Sequence, residues 1–189
     1  MGEPLEEATE SDDKKVALVI AILALFLAFA EAGAKYAEHH STEVNIERSD
    51  LFSFYQAKKI RQTVIETAAQ SAEAGVGDAK PSDALEKQIG AWKDTAAKFE
   101  KDPKNPKDSL DAILEEAKVA QEERELLNRK LEHFEYSAGA LQIAIVLASG
   151  SIITGMVMLA WLAGGLGLVG AALLAFGYFA PTVLPFFGG

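Results

Sequence analysis

The 189-residue chain has no cysteine. That excludes disulfide staples and thiolate metal sites but leaves the compartment undecided, since a cysteine-free chain suits either face of a membrane. Charge is missing from one long stretch: residues 138–189 contain no Asp, Glu, Lys or Arg. A helix in water needs a polar face, and this stretch offers none through two helix lengths. Crossing a hydrocarbon core takes about 20 apolar residues, so the stretch suffices for two passes. Common catalytic signatures are missing too: there is no phosphate loop ending in GK[ST], no HExxH and no GxSxG. Positive charge is in short supply, with a formal net charge of −10. Such a balance excludes a phosphate-neutralising surface, and no nucleic-acid partner is expected.

What is present falls into four blocks. Residues 1–15 carry six acids and the pair Lys14-Lys15, and they are expected to form an acidic disordered tail. Residues 16–30 are wholly apolar. Two readings compete for them: a signal peptide with Ala28-Phe29-Ala30 as its cleavage site, or a retained anchor extending to residue 34. The acids upstream are unusual for a signal peptide, so residues 16–34 are read as a first transmembrane helix of about 28 Å.

Residues 35–137 are expected to form a helical coiled-coil stalk outside the bilayer. Residues 35–74 lack Gly and Pro. Along them Ile46, Asp50, Ser53, Ala57, Ile60, Val64, Thr67 and Ser71 recur at alternating spacings of four and three, a small and partly polar seam. Leu51, Phe52, Phe54 and Tyr55 form an aromatic cluster suited to packing against a partner helix. Gly75, Gly77 and Pro81 mark a turn, and Ser82 or Asp83 can cap the next helix. Leu85, Ile89, Trp92, Ala96 and Phe99 then form an apolar stripe. Pro103 and Pro106 interrupt it, with Asn105 placed as a new N-cap.

From there Leu110, Ile113, Ala117, Ala120, Arg124, Leu127, Leu131, Phe134, Ala138, Leu141 and Ile145 keep one alternation, so the helix is expected to run unbroken into the second span. The outgoing arm would reach about 60 Å and the returning pieces together about 72 Å, which matches an antiparallel hairpin. One such hairpin has a thin core, which argues for oligomerisation through the stalk.

Residues 138–189 are read as a transmembrane hairpin and short tail. The second span ends near Thr154-Gly155, and the third runs from Met156 to about Tyr178. Trp161 and Tyr178 then sit near opposite interfaces, as aromatic belts do. Ala163, Gly167, Ala171 and Ala175 make a small-xxx-small ladder for close helix approach. Gly165-Leu166-Gly167-Leu168-Val169-Gly170 spells the dinucleotide fingerprint, but no strand precedes it and no acid follows, so it is read as helix packing. Pro181 and Pro185 lie in the tail. The fold class is therefore all-α: an integral membrane protein with three transmembrane helices and an extramembrane antiparallel coiled-coil hairpin.

The KKVALVIAILALFLAFA anchor, SFYQAKKIRQTV at residues 53–64, the charged coil and ALQIAIVLAS at residues 140–149 resemble a family of uncharacterised bacterial inner-membrane proteins, a domain of unknown function. The resemblance covers nearly everything beyond residue 13. It implies this architecture and a bacterial inner-membrane setting, and it brings no established activity. Family members often carry basic residues between the last two spans, where this chain has SIITGMVM.

One constellation near the expected membrane surface could carry chemistry. His39, His40 and Glu43 follow the first span, and Glu132, His133 and Glu135 precede the second. His39 and Glu43 are four residues apart on one helix face, a spacing that can share a metal. A solvated interfacial band is the plainer reading, and a pH response of the same histidines is a further one. Glu31 is the one acid near membrane depth, aligned with Gln142. No cofactor is expected. The sequence supports a non-enzymatic scaffold or accessory subunit of a membrane complex, with the lipid bilayer, further copies and other membrane proteins as partners. Its packing interface would use Leu110, Ile113, Leu127, Leu131, Phe134 and the ladder. The alternatives are a small channel or transporter, or a metal- or pH-responsive protein using His39, His40 and His133. Lys14-Lys15 favour an inside amino terminus, which places the stalk in the periplasm.

Overall fold

A computed structural model describes the backbone of residues 3–77 and 80–183, with side chains from residue 14 onward. Among the described residues the chain is all-α: α1 (Glu3–Val76), α2 (Asp83–Glu100), α3 (Leu110–Thr154) and α4 (Val157–Phe179), with a short 3-10 turn at Pro106–Asp108. α1, α3 and α4 each contain a stretch long and apolar enough to cross a membrane. The chain divides into two compact units, Met1–Thr42 with Arg124–Gly189, and Glu43–Glu123.

α1 starts at Glu3, so residues 3–15 are helical where a disordered tail is expected. Glu, Leu and Ala are good helix formers. Met1 and Gly2 lie outside the described residues, as does Pro185.

In the first unit α1, α3 and α4 run up, down and up. Leu23, Ala30, Ala37, Phe134, Leu141, Ala144 and Leu174 form its core. α3 ends at Thr154 and Gly155 makes the turn with φ 68°, a left-handed conformation that any Cβ would strain. Ser151 ties this turn, its carbonyl accepting from the Gly155 amide at 2.9 Å and its hydroxyl donating to the Met156 carbonyl at 3.2 Å. The turn falls at the expected Thr154-Gly155.

In the second unit α2 lies antiparallel to the outer half of α1. Lys93 pairs with Glu73 at 2.5 Å, and Gln62 of α1 donates to Glu100 at 2.7 Å. Ser82 caps α2, its hydroxyl accepting from the Leu85 amide at 3.3 Å. The stripe from Leu85 to Phe99 faces inward, with Ile89 and Ala96 buried. Gly77, at φ 56°, makes the turn before it. Asn105 makes no side-chain cap bond. Instead Ser109 starts α3, its hydroxyl accepting from the Ala112 amide at 3.3 Å. Pro106 explains the change of cap: it opens a 3-10 turn, and the α-helical hydrogen bonds begin only after that turn closes on Ser109.

The seam expected on α1 between residues 46 and 71 is not the covered one. Ile46, Asp50, Ser53, Ala57, Ile60, Val64, Thr67 and Ser71 are all exposed. The covered face lies on the other side of the helix: Val44, Arg48, Leu51, Tyr55, Lys58, Gln62, Ile65, Ala69, Ala72 and Val76. Long amphipathic side chains account for the rotation, because they bury their stems while their polar ends find partners. Lys58 is 13% exposed; its ammonium donates to the Asp108 carbonyl and sits 4.9 Å from the Phe54 ring. Gln62 is 2% exposed and also accepts from Lys59 at 2.9 Å.

Candidate functional site

The packing surface of the first unit is built around glycines where neighbouring side chains reach the backbone. A Cβ on Gly167 would lie 2.5 Å from Leu23 Cδ2, and one on Gly170 would lie 2.7 Å from Leu141 Cγ. One on Gly177 would lie 2.6 Å from Phe134 Cε1, and one on Gly33 would meet the same ring at 3.0 Å. Phe134 of α3 is thus held between a glycine of α1 and a glycine of α4, 3% exposed, with Tyr178 tilted against it at a centroid distance of 4.8 Å. Close approach of this kind drives helix association where the hydrophobic effect between helices is weak. The Ser137 hydroxyl adds a buried interhelical bond, donating to the Gly170 carbonyl at 2.8 Å.

The expected ladder on α4 holds only in its first half. Ala163 and Gly167 are buried, Ala171 is half-buried and Ala175 is exposed. Four residues turn a helix about 40° past a full turn, so a strict four-residue ladder walks off the contact face within three steps. The buried face is instead Ala163, Gly167, Gly170, Leu174 and Gly177. Gly170 and Gly177 were legible in principle, because a face that alternates four and three holds its orientation while a ladder of four does not. Two of the three glycines of the dinucleotide-like sequence, Gly167 and Gly170, receive Leu23 and Leu141, as the packing reading requires.

On α3 the expected seam is covered: Leu110, Ile113, Ala117, Ala120, Leu127, Phe134 and Leu141 are buried, and Arg124 and Leu131 are half-buried.

The histidines differ in burial. His39 is exposed and His40 half-buried, with their rings stacked 6.3 Å apart and Tyr36 edge-on to His40 at 4.3 Å. Glu43 is exposed one turn further along α1. His133 is not part of a solvated band but is 1% exposed, and Glu135 beside it is exposed. α3 packs against both α1 and α4, which widens its buried arc beyond one seam and draws in His133 and Ser137. Among the described residues no group of three or more His, Cys, Asp or Glu is placed to hold a metal. Glu31 is exposed, and the Gln142 amide donates to it at 3.5 Å, the register expected of these two helices.

The family model for DUF4337, a domain of unknown function, matches residues 12–180. The chain belongs to this family. Neither a curated protein nor a solved structure matches it. For DUF4337 the match spans all three candidate membrane helices and the charged region between the first two. The apolar residues of those helices that turn outward are numerous: Leu18, Leu25 and Phe29 on α1, Val146 and Ile153 on α3, and Trp161, Leu168 and Phe179 on α4.

Proposed function

We propose that this DUF4337 chain is a three-span protein of the bacterial inner membrane that acts, without catalysis, as an oligomeric scaffold or accessory subunit of a membrane complex. The observation that carries the reading is the outward apolar surface of the first unit. Its three helices meet where Leu23, Phe134, Leu141 and Leu174 seat among glycines and alanines, and many other large side chains, such as Leu18, Ile153, Trp161 and Phe179, face outward, where lipid can solvate them and water cannot. The charged second unit lies outside the bilayer, on the periplasmic side, with Lys14-Lys15 holding the amino terminus inside. Among the described buried residues of the first unit His133 is the one ionisable side chain, and a single such group beside an apolar core does not make a relay, which favours a packing role over a transport path.

The test has two arms. Membranes washed with alkaline carbonate retain the chain, and detergent releases it. Native mass measurement of the solubilised protein then gives a multiple of the 20.2 kDa chain, alone or with a partner subunit. Release by carbonate alone refutes the membrane reading, and a monodisperse monomer refutes the scaffold reading.

A further inference from the structure

The outer face of α1 in the second unit is a helical seam that the described residues leave uncovered. Ile60 and Val64 are 64% and 61% exposed, and Ile46 and Phe54 are exposed beside them. A helix whose opposite face is already packed has no structural need for a second run of alternating four and three spacing. Its charge pattern points the same way. Glu47, Arg48, Asp50, Lys58, Lys59, Arg61 and Glu66 all fall within residues 46–71, yet only Asp50 lies on the seam. One flank, Ser49, Gln56, Thr63 and Gln70, is uncharged, and the other, Glu47, Phe54, Arg61 and Ala68, carries one charge of each sign, so a parallel in-register pair sets no like charges across its flanks. The seam hydroxyls are satisfied within the helix, Ser53 donating to the Ser49 carbonyl at 2.9 Å and Thr67 to the Thr63 carbonyl at 2.7 Å. Covering the face therefore strands neither donor.

We propose that this face pairs with the same face of a second copy of the chain, α1 against α1 in parallel and in register. Self-pairing is what a nearly uncharged seam permits in a chain of net charge −10, where a face rich in acids would repel its own copy. The parallel sense follows from α1 itself, which carries a candidate span, so two copies in one membrane point the same way. In register, Ser53, Ala57, Ile60, Val64 and Thr67 each meet their own counterpart, as core positions of parallel pairs do. Asp50 meets Asp50 and weakens the contact, which keeps the pairing short of maximal strength. The inference rests on the membrane and oligomeric readings above and names the surface and the partner.

Because the chain has no cysteine, single cysteines report the contact without background. Ala57→Cys, Ile60→Cys and Val64→Cys, oxidised in native membranes, are expected to yield a product of twice the chain mass, while Lys59→Cys and Glu66→Cys are not. Ile60→Glu in the Val64→Cys background lowers that product by about tenfold or more, since facing like charges cost several kcal/mol, and Asp50→Asn raises it. Both substitutions are at exposed positions, so helical content stays unchanged. Equal crosslinking on and off the seam overturns the proposal. So does a crosslinked product of another mass, which makes the occupant a different protein. No seam crosslink in a chain that is oligomeric by native mass overturns this surface alone, whereas a monomer by mass overturns the oligomeric reading with it.

Discussion

Gly177→Ala tests the notched packing most directly, because the added atom has one identified obstacle. The new Cβ would sit 2.6 Å from Cε1 and 2.9 Å from Cδ1 of Phe134, inside any ordinary contact distance. The ring cannot swing clear toward α1, where Gly33 already holds it at 3.0 Å from a would-be Cβ. Overpacking of this kind costs about 1–3 kcal/mol. Removing the ring by Phe134→Ala empties a buried site and costs about 3–5 kcal/mol. If the two residues acted independently, the double variant would cost about the sum. The geometry requires otherwise: with the ring gone, the added methyl has room, and the double variant costs no more than Phe134→Ala alone. The coupling energy of the cycle is then about 1–3 kcal/mol, well outside the additivity of independent sites. The assay is thermal unfolding of the four proteins in one detergent, where 1 kcal/mol moves the midpoint of a chain this long by about 2–4 °C. Additive midpoint shifts would refute the notch.

Three further outcomes follow from the same geometry. Gln62→Ala removes the amide that bonds Glu100 and Lys59, and it destabilises the second unit by about 1–3 kcal/mol, seen as faster protease cleavage in the loop before α3. Gly155→Ala forces a Cβ into left-handed backbone at a cost of about 1–2 kcal/mol, and a lower unfolding midpoint in detergent checks it; Gly155→Asn costs less. Ser137→Ala deletes the bond to the Gly170 carbonyl and lowers the same midpoint by the equivalent of about 0.6–2 kcal/mol.

Much of the fold was legible because its punctuation is chemical. Gly77 and Gly155 make turns where turns are expected, both with left-handed backbone, while Gly75 stays inside α1; Ser82 caps α2, and the prolines at 103 and 106 separate α2 from α3. The α3 seam was legible because Leu, Ile, Ala and Phe mark it without ambiguity. The α1 seam was not, since its covered face buries Arg48, Lys58 and Gln62 while Ile60 and Val64 face out. Counting apolar letters cannot find a face whose contacts are aliphatic stems and hydrogen-bonded amides. The α4 ladder failed for a geometric reason, the precession of a four-residue repeat about a 3.6-residue helix. Burial of His133 was hidden because it depends on α3 being covered from two sides, a tertiary property with no local signature.

The slots at Gly167, Gly170 and Gly177 have a bearing on how this unit can move. Each receives a side chain from a neighbouring helix, Leu23, Leu141 and Phe134 in turn, seated against the backbone. They behave as detents along α4. A small piston stroke or a partial rotation would have to lift all three side chains at once, so gradual sliding is blocked and only a jump of a full helical turn, about 5.4 Å, could bring a new set of positions into line. Gly164 and Gly165 are the only glycines upstream of these slots on α4, and no glycine follows Gly177 on that helix, so such a jump finds no second set of three. Any message passed through this unit must therefore travel with the three helices moving as one body.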